Sequence, residues 1–285
     1  MSSKRRKISR RGGVKKQNYT GLSLLVFGAL LFYLFYSERF SILKVPHKIN
    51  YEVVNGLEMP FVADSSYLVW CNKGRYIYNY SPKDKQSLWV AYTLSAKDVK
   101  NKKVKRGNDF KPSPQVLARR WQTAYKQDYR GSSYDRGHLL PSRDRVGSRE
   151  ENEATFYFSN ISPQRQNLNR RGWMLLERYV RDVAKTYGTT YITVGGVFNK
   201  NKSYIGTGKV TIPKSFFKVI LVKDGGKYRS LGFIMPNSET VKENYMKYAV
   251  SVNEVEKLTG YDFFTHLPNS IEEKCENKKK KLKVN

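Results

Sequence analysis

The tetrapeptide Asp135-Arg136-Gly137-His138 sets an imidazole two residues from a guanidinium, in a chain whose formal net charge is +29. Histidine has the side-chain pKa nearest neutrality and can take a proton from water. Arginine offers a planar, permanently charged fork that matches phosphate oxygens. The pair suits attack on a phosphodiester. Four residues of this kind also make an ordinary turn, so the motif needs partners elsewhere in the chain before it means chemistry.

Asn169 is the first such partner. The stretch Asn169 to Tyr187 reads as an amphipathic helix stopped by Gly188. At about 100° per residue, Trp173, Leu176, Val180, Val183, Ala184 and Tyr187 share a face with Asn169, whereas Arg170, Arg171, Arg178, Arg181 and Lys185 lie on another. Glu177 falls on the flank of the apolar stripe. An amide facing inward costs roughly 1–3 kcal/mol unless something bonds to it. Backbone N–H groups would make Asn169 a helix cap; a metal ion is the alternative.

The elements that must position these groups read as mixed α and β. Aromatic and β-branched residues around Trp70, at Tyr76 to Tyr80 and at Trp89 to Leu94 predict strands, as do the runs Tyr191 to Phe198, Phe216 to Val222 and Tyr228 to Met235. Lys97 to Pro114, broken by Gly107, Pro112 and Pro114, predicts a long loop. Ser251 and Glu254 have capping-box spacing ahead of a helix that ends at Gly260.

Composition bounds the partners. The 285 residues, 39% hydrophobic, suffice for one sizeable core. Residues 1–16 carry eight Lys or Arg and no acid, and Lys278 to Lys281 with Lys283 close the chain; removing those 13 leaves +16 on the body. A polyanion or an anionic membrane surface is the implied partner. Residues 18–37 are uncharged over 20 positions, about the length that spans a bilayer core. No small-residue cleavage site follows, so the expectation is an uncleaved signal-anchor, with the basic residues 1–17 cytoplasmic and the body outside the cytoplasm, periplasmic or extracellular. In that compartment Cys71 and Cys275 could form one long-range disulfide. Two cysteines and three scattered histidines offer no zinc spacing, and His47 and His266 read as structural or solvent-facing.

The segments Tyr134 to His138, Ser159-Asn160-Ile161-Ser162-Pro163-Gln164, and Leu168-Asn169 through Gly172-Trp173 to Leu176-Glu177 follow one another in an order and spacing that resemble the DNA/RNA non-specific endonucleases. That family belongs to the ββα-metal nucleases. The resemblance runs from about Trp89 to Pro268, including Leu258 to Phe264. It implies an α+β fold: a central antiparallel-rich sheet flanked by helices and carrying a ββα-metal site, here preceded by one N-terminal transmembrane helix. It divides the chain into the basic tail, the anchor, a linker over 38–60, a nuclease domain over 61–270 and a basic C-terminal tail over 271–285.

The resemblance also implies roles. His138 is the general base and Asn169 the single protein ligand of a divalent ion, magnesium or in its place manganese. Glu177 bonds the waters around that ion, Arg106 contacts the phosphate, Arg136 supports the phosphate or the local fold, Asp135 orients the motif backbone or its neighbours, and Asn160 and Gln164 support the metal site. DNA and RNA are the implied substrates, 5′-phosphate ends the implied products, and no organic cofactor is expected. A homodimer stays open. Arg143, where a small residue is usual, and Ser162, where threonine is common, depart from the pattern. Two further readings stand beside the enzyme: a catalytically inactive, membrane-anchored nucleic-acid-binding module, and a polyanion-binding structural protein.

Overall fold

The computed structural model of the protein describes residues 56–284. Their frame is a seven-stranded antiparallel sheet. Its strands are β1 (Leu68–Cys71), β2 (Tyr76–Ser81), β3 (Gln86–Ser95), β6 (Thr189–Val197), β9 (Ser215–Asp224), β10 (Lys227–Pro236) and β11 (Ala249–Val250), adjacent in that order. Each of the six predicted strands forms. Two small ribbons, β4 (Tyr134–His138) with β5 (Ile161–Arg165) and β7 (Tyr204–Ile205) with β8 (Val210–Thr211), lie outside the main sheet.

Strand alternation sends successive side chains to opposite faces and so builds two cores. Val90, Tyr92, Ile192, Phe216, Ile220 and Val222 pack under the long helix α1 (Met174–Tyr187), through Leu176, Val180, Val183 and Ala184. Trp89, Ala91, Phe217, Val219 and Leu221 face the other way, toward α2 (Val252–Thr259), α3 (Asn269–Glu276) and Phe263. The predicted helix ends hold. Gly188, at φ +83°, stops α1, and Gly260, at φ +74°, stops α2. Ser251 and Glu254 close the capping box reciprocally at 3.3 and 2.8 Å.

Four expectations change. Ala96–Lys100, expected in the loop, forms a short helix because Ser95 and Asp98 cap it. The first turn of the predicted helix, Leu168–Trp173, is a wide π-type turn rather than an α-helical one. The two cysteines are free: Cys71 is buried in the α1-side core and Cys275 in the core on the opposite face, so the sheet separates them. Residues 271–282, expected as a basic tail, belong to the folded body. α3 lies against β10, where the Ser230 hydroxyl donates to the Cys275 carbonyl at 2.8 Å, and the Tyr179 hydroxyl donates to the carbonyl of buried Leu282. The expected membrane span at 18–37 lies outside the described residues, among which no helix is long and apolar enough to cross a membrane.

Candidate active site

The ribbon β4–β5, the π-type turn and α1 form a ββα unit in chain order, and the chemistry-bearing residues sit along it. In β4, Asp135 pairs with Gln164 and Gly137 with Ser162. Glycine is required at 137 because a Cβ there would overlap the Gln164 carboxamide. Gln164 is buried and its amide atoms have no hydrogen-bond partner, so it acts by filling the space against β4. Asn160 grips the chain just beyond the imidazole: its Oδ1 accepts from Leu140 N at 2.8 Å, and its Nδ2 donates to the carbonyls of Leu140 and Thr155. Both residues expected as supports of the metal site brace the strands that carry His138.

His138 is 9% exposed and packs edge-on against Phe110 and Phe156, with ring centroids 5.6 and 4.8 Å away. Those rings also carry the arginines. The Arg136 guanidinium lies 4.3 Å from the Phe110 centroid and that of Arg106 lies 5.0 Å from Phe156. One aromatic shelf therefore sets the base and both cations. Burial, reinforced by Arg106 and Arg136, pushes the imidazole down to about 3. It is neutral at physiological pH, and its Nε2 has no hydrogen-bond partner among the described residues.

The inward-facing amide has its partner. Asn169 Nδ2 donates to Asp135 Oδ2 at 2.9 Å, so Asn169 does not cap the helix. Arg170 grips the same carboxylate with two bonds, at 2.8 and 2.7 Å. Partial burial alone would raise the Asp135 carboxyl, but the bonds from Arg170 and Asn169 outweigh it and hold it below the usual range. An ionised carboxylate only accepts. The NH2 end of Asn169 must therefore face Asp135, which leaves Oδ1 free.

Arg106, Arg136, His138, Asn169, Glu177 and the unusual Arg143 line one cleft of about 940 Å³. Asp135 borders an adjoining hollow with Arg106, Arg136 and Asn169. A single amide oxygen suits a hard, oxygen-preferring cation that keeps most of its waters, so the donor set fits magnesium better than a softer metal. The Ser162 hydroxyl donates to Gln86 Oε1, a bond that does not depend on the methyl group a threonine would add.

Three charged residues behind the cleft escaped the sequence reading. Lys218, 0% exposed, projects from β9 toward Trp173, with its Nζ 4.8 Å from the indole centroid. Buried Asp144 accepts from Arg181 at 3.0 Å, and Arg145 donates to four backbone carbonyls. Glu177 forms no ion pair among the described residues. Arg170 goes to Asp135 and Arg181 to Asp144. Burial drives the Glu177 carboxyl up, with Lys218 and Arg181 opposing. The available signal was Lys218 itself, the lone charge in the run Phe216 to Val222.

The ββα order, with an imidazole on the ribbon and an amide at the head of the helix, defines a ββα-type nuclease site. The model of the DNA/RNA non-specific endonuclease family matches residues 65–270. A nuclease of Nostoc sp. is 34% identical over 215 residues, covering 72% of this chain and 77% of the relative. Mitochondrial endonuclease G of Bos taurus is 30% identical over 208 residues, covering 69% of each. The endonuclease in a solved complex of EndoG with its inhibitor EndoGI superposes with a TM-score of 0.64 at 28% identity, over 72% of this chain and 88% of that one. The chain belongs to the DNA/RNA non-specific endonuclease family, and it is a metal-dependent nuclease that hydrolyses phosphodiester bonds.

Proposed function

We propose that the protein is a magnesium-dependent endonuclease that cuts DNA and RNA without sequence preference, with His138 as general base and Asn169 as the metal ligand. The observation that carries this reading is the meeting, in one cleft, of a neutral imidazole and an amide whose oxygen is left free by Asp135. His138 takes the proton of the attacking water, a contribution of about 10²–10⁴ in rate. Arg106 and Arg136, held by the Phe110 and Phe156 rings, bind the phosphate from the shelf that carries the base. Asn169 Oδ1, oriented by Asp135, would hold the cation, and Glu177 would orient water beside it. When bound, magnesium supplies Lewis-acid stabilisation of the charge that builds on the phosphate and the leaving oxygen; manganese could substitute.

None of these groups reads a base edge, so affinity comes from phosphates and counterion release. Cleavage leaves 5′-phosphate ends. Residues 18–37 anchor the chain with its nuclease body outside the cytoplasm. The test is cleavage of plasmid DNA and of RNA with magnesium, with and without chelator. Activity should vanish on chelation and fall by about 10²–10⁴ in His138→Ala, with DNA binding retained; normal cutting by that variant would refute the base.

A further inference from the structure

Far from the site in sequence, three carboxylates converge without a counter-charge. Glu256, Asp262 and Glu276 each offer an oxygen, and these oxygens all lie within 4.8 Å of one another. They come from α2, from the segment after it and from the last residue of α3. Among the described residues, no Lys, Arg or His forms an ion pair with any of them.

Two further observations point to a cation between them. Glu276 is only 7% exposed, and its Oε1 is buried with no hydrogen-bond partner. Burial, together with the Glu256, Glu272 and Asp262 charges, pushes the Glu276 carboxyl up to about 9, so in its ionised form it calls for a cation in place of the proton. Glu276 also ends α3, and Glu256 lies in the last turn of α2, where the helix dipole disfavours anions. Glu256 Oε1 is already fixed by the Phe263 N–H at 2.9 Å, which orients its carboxylate toward the loop. The chain has 53 basic residues, and it leaves this acidic group unneutralised.

We propose that Glu256, Asp262 and Glu276 bind a calcium-class divalent cation that clasps α3 onto α2. Calcium takes six to eight oxygen ligands in a flexible shell rich in carboxylates, whereas magnesium demands near-octahedral geometry, dehydrates reluctantly and is seldom held by an all-protein cage. Three carboxylates from three segments, with water completing the coordination, suit calcium. The clasp secures the segment through which Leu282 reaches Tyr179 on α1. The site is independent of the catalytic cleft, and its ion has a structural role.

The test uses the full-length chain with magnesium held constant, so that occupancy of the catalytic site does not change. Millimolar calcium should raise Tm by roughly 4 °C or more over magnesium alone. The rise should disappear in Glu276→Gln and in Asp262→Asn, and both variants should keep magnesium-dependent cleavage. Asp262 is exposed, so its variant keeps the test alive if Glu276→Gln fails to fold. Terbium, a calcium mimic, should luminesce on excitation of Tyr261 in the wild type and not in Asp262→Asn. An equal calcium response in wild type and variants would overturn the proposal. So would no calcium response together with a Tm that rises on mild acidification and loses that rise in Glu276→Gln, since the carboxylates would then be sharing protons.

Discussion

Strand β9 divides two interiors of opposite character. Phe217, Val219 and Leu221 enter a core closed by Val252, Val255, Phe263 and Phe264, and no Lys or Arg among the described residues is buried there. One residue out of step, Phe216, Lys218, Ile220 and Val222 point toward α1, and there the interior holds the Lys218 ammonium, the Asp144 carboxylate and the Arg145 guanidinium beside the aliphatic groups. Among the described residues, buried polar atoms without partners occur on both sides: Lys218 Nζ, Asp144 Oδ2, Tyr92 Oη and Trp173 Nε1 behind the cleft, and Trp89 Nε1, Glu58 Oε2 and Glu276 Oε1 on the other. Burying charge costs free energy that an apolar core would not. The comparison teaches that the sheet confines buried basic charge to the face behind the cleft, whereas the other face is filled mainly by apolar side chains.

The largest effect should come from the apolar face. Phe217→Ala should lower unfolding stability in urea by about 3–5 kcal/mol while leaving cleavage per folded molecule unchanged. A matching loss of specific activity would break the distinction between the faces.

Smaller, but diagnostic, is the pH dependence on the α1 side. The unfolded imidazole titrates near 6.5 and buried His138 near 3. Between those values the unfolded chain binds a proton that the folded chain refuses, so stability falls as pH drops from about 6.5, by at most about 1.4 kcal/mol per unit. His138→Phe should flatten that slope, and parallel curves for wild type and variant would mean the imidazole is not buried neutral.

Lys218→Met should move stability least, by under about 1.5 kcal/mol, because Arg145 and Arg181 still balance Asp144 and Glu177. Its effect belongs in the pH–rate profile. With the opposing charge gone, the Glu177 carboxyl rises further, and the acidic limb of activity should move to higher pH. An unmoved limb would detach Lys218 from the site.

His138 and Asn169 were singled out by residue type and spacing, and Arg106, Arg136 and Glu177 took their roles from the family resemblance. His138, Asn169, Glu177, Arg106 and Arg136 were each picked out in the sequence, and all five line one cleft. The six strands were legible because aromatic and β-branched runs are bounded by breakers. Other features needed coordinates. A helical wheel assumes a constant angle per residue, so the π-type turn at Leu168–Trp173 was invisible to it. Asn169 still required a partner, but only the fold could name Asp135, 34 residues away. Counting cysteines says nothing of which sheet face each occupies, and for that reason the pairing of Cys71 with Cys275 failed. The aromatic shelf of Phe110 and Phe156 joins residues from two connecting segments that carry no periodic signal.

The central claim is that an ion held by Asn169 sits beside His138, and the direct measurement is paramagnetic broadening of imidazole resonances by manganese. The protein has three histidines, so His138 can be resolved and assigned by substitution. The account predicts that manganese at concentrations supporting cleavage broadens the His138 signals in the wild type, and that Asn169→Ala leaves them sharp. Sharp His138 signals in a wild-type protein that manganese has activated would contradict it.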